Sequence, residues 1–284
     1  MYKFPVGAML ESFRMEPMVA VDEAARLGLD GLQIYLSRGP MAPTAEGSAE
    51  LRKKVYRRIR DAGMIVSAVC GDFGKGFSSP EQNPALIEAS KRVMDAALDF
   101  DCRIVTTHIG RVPADSSNDT FKIMQDACGT LAEYADAREG HFAMETGPEY
   151  SFVLRPFLDS LHSRGVAVNL DPANLAIMVS ENPVSAVRNL GPYIVHTHAK
   201  DGVCRWVDNA GGRHVHPLGD PLDPYRKYEE DERPLGEGDV PFPSYLAALE
   251  EVGYRGFLTI EREVGADPAA DIAKAADMLR SILI

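Results

Sequence analysis

Eight short apolar runs, each followed by turn residues and then by a longer segment of helical spacing, recur along the chain. This alternation restricts the fold more than any other feature. The runs are VGAML (6–10), GLQIYL (31–36), IVSAVC (65–70), RIVTTHIG (103–110), HFAMETG (141–147), VAVNLDP (166–172), YIVHTHAKD (193–201) and FLTIERE (257–263). Short apolar runs bounded by turn signals predict buried strands, and the spacing between them predicts helices. Helices are expected over 16–28, 49–63, 83–100, 119–139, 152–165, 182–191, 242–253 and 267–283. Several open at a capping residue followed by Pro (Asn83, Asn182, Asp267), and several close at Gly (Gly63, Gly165, Gly191, Gly253). Eight strand-helix units favour a closed (β/α)8 TIM barrel over an open sheet. A barrel of this type reaches ~250 residues as one domain, so a single domain over 1–284 is expected. The one long break, residues 202–240, is rich in Gly, Pro, His, Arg and Asp, and connections of that length are usually functional or disordered.

Charge and cysteine usage narrow the partners. With 30 basic against 42 acidic residues, the formal charge of −12 repels a phosphate backbone, so no nucleic acid is expected. A neutral or cationic small molecule fits better. The four cysteines (Cys70, Cys102, Cys128, Cys204) show no C-x-x-C spacing, which argues against a zinc knuckle or a dithiol redox pair and favours reduced thiols. No stretch approaches the ~20 apolar residues of a membrane span, and the N-terminus lacks a signal-peptide core, so a cytoplasmic protein without membrane attachment is expected.

In a barrel of this kind the active site sits at the C-terminal ends of the strands. The fifth to eighth runs end in Glu145 (AMETG), Asp171 (NLDP), His198 (HTHAKD) and Glu261 (TIERE). Any one of them alone reads as a helix cap or a solvated loop residue; four at equivalent heights on consecutive strands read as a metal shell. Three carboxylates and one imidazole form a hard donor set that suits Mn²⁺ or Mg²⁺ and tolerates Co²⁺ or Zn²⁺. His196, His198 and Lys200 share one strand face, because strand side chains alternate with period 2. His198 lies nearer the strand end and is the expected ligand, with His196 one layer deeper as a hydrogen-bonded supporting residue. His108, at the end of the fourth run, is expected to line the pocket, and Lys200 to point across its mouth towards a carbonyl or hydroxyl. His141 and His162, at a strand start and in a helix, carry less signal. His214 and His216 lie in the long seventh connection, where His216 is a candidate substrate contact. Arg213 and Trp206 of that connection are weaker candidates for closing over a sugar. Arg262 is expected to turn away from the interior and Glu263 to share the side of Glu261. Gly236 and Gly238 of PLGEGDV are expected to be backbone turns.

The pieces METGPE, NLDPANL, HTHAKDG and PLGEGDVPFPSYLAALEEVGYRGFLTIERE resemble, over essentially the whole chain, the sugar phosphate isomerase/epimerase family of xylose isomerase-like barrels. That family includes ketohexose 3-epimerases, inosose dehydratases and apurinic endonucleases. The resemblance implies a divalent ion held by Glu145, Asp171, His198 and Glu261. It also implies an enediolate mechanism on a ketose or related polyol, in which Glu145 and Glu261 are the catalytic acid and base, and a homodimer or homotetramer.

The departures from the epimerase pattern fall in the substrate shell. Asn174 stands where those enzymes carry a substrate-binding His, Cys204 with Arg205 beside it where they carry an Arg, and Ser151 where they carry a second Glu. Asn174 and Arg205 are therefore candidate substrate contacts, and a different substrate or a variant reaction is expected, with a dehydratase or lyase on a keto-sugar or inosose as the alternative. The endonuclease reading needs a three-metal cluster with more histidines. Its third-strand position falls at VSAVC, and Asn174 replaces another ligand. A sugar-binding barrel without catalysis would leave four converging ligands without a purpose.

Overall fold

The structure is a computed structural model and describes residues 3–283. The strands in chain order are β1 (Val6–Met9), β2 (Gly31–Tyr35), β3 (Ile65–Cys70), β4 (Ile104–Thr107), β5 (His141–Glu145), β6 (Val166–Leu170), β7 (Ile194–Ala199), β8 (Asp201–Val207), β9 (Arg213–Val215), β10 (Lys227–Arg233) and β11 (Leu258–Ile260). β1 to β7 and β11 pair in parallel around a closed ring, with β11 between β7 and β1. The eight expected strands are thus the eight staves of a TIM barrel.

The helices are α1 (Pro17–Arg26), α2 (Ser48–Asp61), α3 (Asn83–Ala97), α4 (Asp119–Asp136), α5 (Ser151–Asp159), α6 (Pro172–Met178), α7 (Pro183–Leu190), α8 (Phe242–Glu251) and α9 (Pro268–Leu283). Asn182 caps α7 by accepting the Val184 N–H at 3.0 Å. Asn83 instead lies inside the first turn of α3 and donates its amide to the Phe77 carbonyl. α6 was not expected. Its sequence PANLAIM is apolar almost throughout and its first six residues are buried, so it carries no polar face to reveal a helical period. α5 is shorter than the spacing predicts, and His162 lies beyond it, at a left-handed φ of 50° where the chain turns towards β6.

The long seventh connection is ordered as an antiparallel three-stranded sheet, β10-β8-β9, rather than a loop. β8 and β10 pair over seven residues, from Asp201↔Arg233 to Val207↔Lys227. β10 reads KYEEDER, a charged strand with little buried face, which is why no apolar alternation announced it. Asp201 ties this sheet to the barrel. Its carboxylate accepts the N–H groups of Gly202 and Val240 on one oxygen and of Gly236 and Gly238 on the other, at 2.9–3.1 Å. A Cβ at Gly238 would lie 2.1 Å from Asp201 Oδ1, so only glycine lets the backbone close on that carboxylate. The expected turns at Gly236 and Gly238 are this knot.

At the opposite end, the floor of the barrel is packed around Phe257. Gly7 of β1 faces Gly31 of β2 in register, and a Cβ at Gly31 would lie 2.6 Å from the Phe257 ring and 2.8 Å from the Ile65 carbonyl oxygen. The four cysteines are buried and unpaired. Among the described residues no helix is long and apolar enough to cross a membrane. Gly31→Ala is expected to destabilise the fold by about 1–3 kcal/mol through overpacking of this floor. A urea midpoint equal to that of the parent chain would show that the floor yields freely to the added methyl.

Candidate active site

Strand alternation builds the site in layers. In β6 and β7, Asn169, His196 and His198 turn inwards, with Asp171 and Lys200 continuing those faces just past the strand ends. The lower layer is polar and fully buried, and its partners are matched. The His196 ring bonds through Nδ1 to Asn169 Oδ1 at 2.9 Å and through Nε2 to Thr259 Oγ1 at 2.9 Å. Burial, reinforced by the neighbouring charge on His198, holds His196 well below its usual pKa, so it sits neutral. Its bond to Asn169 Oδ1 aims the Asn169 amide nitrogen at Glu145 Oε2, 3.1 Å away.

One layer higher, Glu145, Asp171, His198 and Glu261 come together, with one ligand-type atom from each lying within 4.8 Å of all the others. All four are buried. Glu145 is the last residue of β5, and Asp171 and Glu261 directly follow β6 and β11. Asp171 also caps α6, accepting the Asn174 N–H on Oδ1 at 2.8 Å, which leaves Oδ2 facing His198 Nδ1 at 3.2 Å. His198 Nδ1 lies 3.5 Å from Glu145 Oε1 and 3.3 Å from Glu261 Oε2. The far nitrogen, Nε2, donates to Gln33 Oε1 at 3.0 Å, and the Gln33 amide is itself fixed by donation to Thr106 Oγ1 at 2.9 Å. Nδ1 is therefore the nitrogen turned towards the carboxylates, an outer-partner arrangement common to metal-binding histidines.

The electrostatics follow from burying like charges together. Burial pushes Glu145 up, but the charges of His108 and His198 outweigh it and hold it below the usual carboxylate range. For Glu261, burial is opposed by His198 and Lys200, and the carboxyl sits well below that range. Burial disfavours a charge on His198, yet Glu261 and Glu145 keep the imidazole well above its ordinary value. Lys200 is likewise held charged against burial, chiefly by Glu261 and Asp171. A buried, oxygen-rich cluster with one correctly oriented imidazole nitrogen matches the donor set of a hard divalent cation, so the residues present fit such an ion.

A cavity of about 420 Å³ opens above the cluster. His108 lines it, with Nε2 3.4 Å from Glu145 Oε1 and Nδ1 3.4 Å from Asp72 Oδ2. Asn174 lines it too, its amide 3.2 Å from Glu145 Oε1. Lys200 bridges Glu261 Oε2 at 3.0 Å and Glu263 Oε2 at 2.5 Å, so it is clamped to the rim instead of reaching freely across the mouth.

Two expected substrate contacts lie elsewhere. Arg205 is on β8 and pairs with Asp231 Oδ2 at 2.5 Å, and His216 is buried behind the small sheet, bonded to the Asp220 carbonyl at 3.0 Å and packed edge-on against Tyr228. Neither lines the cavity, because the segment read as a loop is a sheet whose residues pair across its own strands. Arg213 pairs with Glu229, and Trp206 stacks on His214, in the same sheet. Ser151 opens α5 and bonds Glu181. Cys204 is buried in β8. Arg262 turns away as expected, onto Glu232 and Asp271.

The wall also uses residues that strand-end reading of the last four strands passed over. Gln33, Tyr35 and Arg38 come from β2 and its following loop, Cys70 and Asp72 from β3 and its following loop, and Glu230 from β10. A glutamine inside the apolar run GLQIYL, and an aspartate two residues past IVSAVC, were the available signals for two of them.

Comparison with known proteins places this geometry. The sequence model of the xylose isomerase-like TIM barrel family matches residues 21–282. The chain is similar in fold to a xylose isomerase domain protein from Planctomyces limnophilus, with 24% identity, TM-score 0.80, and 99% of this chain and 97% of that one covered. It is also similar to the probable 3-DHS dehydratase AsbF of Bacillus anthracis, at 16% identity, TM-score 0.74, and 97% and 98% coverage. The third comparison is 3-keto-D-glucoside 4-epimerase YcjR of E. coli, at 17% identity, TM-score 0.72, and 98% and 100% coverage. A match over nearly its whole length shows that the chain belongs to the xylose isomerase-like TIM barrel family.

Proposed function

We propose that the protein is a divalent-metal-dependent sugar isomerase or epimerase acting on a ketose or related polyol. The observation that carries this reading is the convergence of Glu145, Asp171, His198 and Glu261 in one buried cluster beneath a cavity of sugar size. Those four residues would hold the ion, with Mn²⁺ or Mg²⁺ favoured by the donor set. When bound, the ion supplies Lewis-acid polarisation of adjacent substrate oxygens and stabilises the charge of an enediolate.

The chain's own residues do the rest. Glu145 and Glu261 approach from β5 and β11, separated in the ring by β6 and β7, so a ketose lying over the cluster meets one carboxylate from each side. One removes the proton beside the carbonyl and the other returns it on the opposite face, each able to serve as base in one direction and acid in the other. The Asn174 amide orients Glu145 Oε1, and the Lys200 ammonium orients Glu261 Oε2. His108 and Asp72 offer a donor and an acceptor to the substrate hydroxyls.

A lyase on a keto-sugar is the second reading. It is favoured by Asn174, Ser151 and Cys204 standing where ketohexose epimerases bind substrate, and by the N–H donors that His108 and Lys200 bring to the cavity wall. Proton NMR in D₂O separates the two, since an epimer carrying deuterium supports the first and loss of water supports the second.

Treatment with a chelator is expected to abolish carbon-bound hydrogen exchange in a panel of ketoses, and Mn²⁺ or Mg²⁺ to restore it. Exchange that persists in the fully stripped protein would refute the metal assignment. Glu145→Gln and Glu261→Gln are each expected to lower turnover by about 10²–10⁴ while circular dichroism stays that of the parent. Full turnover in either variant would rule out a two-carboxylate mechanism.

A further inference from the structure

Two cavities meet at the barrel mouth. Beside the one above the ligand cluster, a second of about 390 Å³ opens between the segments that follow β1 and β2. Tyr35 and Arg38 line both, with the guanidinium 4.2 Å from the centre of the tyrosine ring. This stacked pair is the shared wall, so the two cavities are neighbours across it. Met15, Pro40 and Met41 give the second cavity an apolar surface, and Glu11 and Glu16 give it two carboxylates. Glu11 is fixed in place there, one of its oxygens accepting the Tyr35 N–H at 3.1 Å.

We propose that the second cavity is a sugar subsite, and that the protein acts on ketoses carrying a second, uncharged sugar ring at the end remote from the reacting carbons. The proposal rests on reading the first cavity as the seat of a ketose. Its own support is the chemistry of the adjoining walls. Small-molecule sites pair apolar surface with a few placed polar groups, and a pyranose offers both counterparts: C–H faces to lie on Met15 and Pro40, and hydroxyl donors for the carboxylates. Charge selects against the main alternative for a remote group, a phosphate. Arg38 is the single cation lining this cavity among the described residues, and Glu16 opposes an anion there.

The test uses the full chain loaded with Mg²⁺ and isomaltulose, a glucosyl-fructose whose ketose end is free, with D-fructose and D-fructose 6-phosphate as comparisons. In saturation-transfer NMR the glucosyl protons are expected to receive saturation comparable to the fructosyl protons, and isomaltulose to bind about tenfold more tightly than D-fructose. Met15→Trp and Pro40→Trp, which fill the second cavity from different segments, are each expected to remove that advantage. Glucosyl protons without saturation, or an affinity advantage unchanged in both folded variants, would overturn the proposal. So would tighter binding of D-fructose 6-phosphate than of isomaltulose, which would assign the cavity to an anion. The two readings fail separately. Contact through both rings without hydrogen exchange at the ketose keeps the subsite and removes the isomerase, whereas exchange on D-fructose without glucosyl contact keeps the isomerase and removes the subsite.

Discussion

Burying three carboxylates at one end of a barrel is the constraint around which the rest of this structure is arranged. An isolated buried carboxylate is strongly disfavoured, and three together repel one another as well. The sequence answers with polar residues at interior positions where a barrel core would otherwise be aliphatic. Asn169, His196, Thr259 and Gln33 occupy such positions, and each is hydrogen-bonded to a neighbour that fixes its orientation. Lys200 supplies positive charge, His198 turns Nδ1 towards Asp171, and Asp171 spends its other oxygen on the N-terminus of α6. What remains is a set of oxygens and one nitrogen facing a common point, held there by partners on four different strands. A cation at that point would satisfy the charge that the local network leaves unbalanced.

Two halves of the barrel contribute differently. The strands from β5 to β7, with β11, supply the ligand cluster, whereas β2, β3 and β4 supply Gln33, Tyr35, Arg38, Asp72 and His108 to the wall facing a substrate. Two of these reach back to the cluster, Gln33 through His198 Nε2 and His108 through Glu145 Oε1. The cluster and the facing wall are thus built largely on different strands. Asn174 shows the distinction at one residue. It follows Asp171 by three positions, so its backbone takes part in the helix cap, while its side chain faces the cavity and touches Glu145.

The barrel and its cluster were legible because both leave periodic or positional marks. Buried parallel strands read as apolar runs, and a titratable residue at the end of such a run has few structural reasons to be there. What escaped the sequence had no comparable mark. PANLAIM is apolar on every side, KYEEDER is charged on every side, and neither has the contrast between faces that betrays an element. Misreading the second segment as a loop is what misplaced Arg205 and His216: in a loop they could turn to the cavity, but in a paired strand and its flank their directions are set by Asp231, Tyr228 and Asp220. Asp72 and Gln33 were missed for a different reason, because the strand-end rule was applied to the last four strands and the interior glutamine looked like an isolated polar substitution.

The small sheet follows from the same electrostatic arrangement. β8 begins only one residue after β7 ends, so the strand that carries His198 runs almost directly into the sheet. Asp201 at that junction gathers four backbone N–H groups and fixes the returning chain against it. A second tie lies on the other side, where Glu232 of β10 pairs with Arg262 and accepts the Glu263 N–H, next to Glu261 of the cluster. The sheet is thus fastened at both strands that present His198 and Glu261, and it brings Glu230 to the cavity wall. A free loop of the same length could cover the mouth, but it could not hold Glu263 where its carboxylate meets Lys200. Without that contact Lys200 would hydrogen-bond Glu261 alone, and the Glu261 oxygen it orients would be held less firmly.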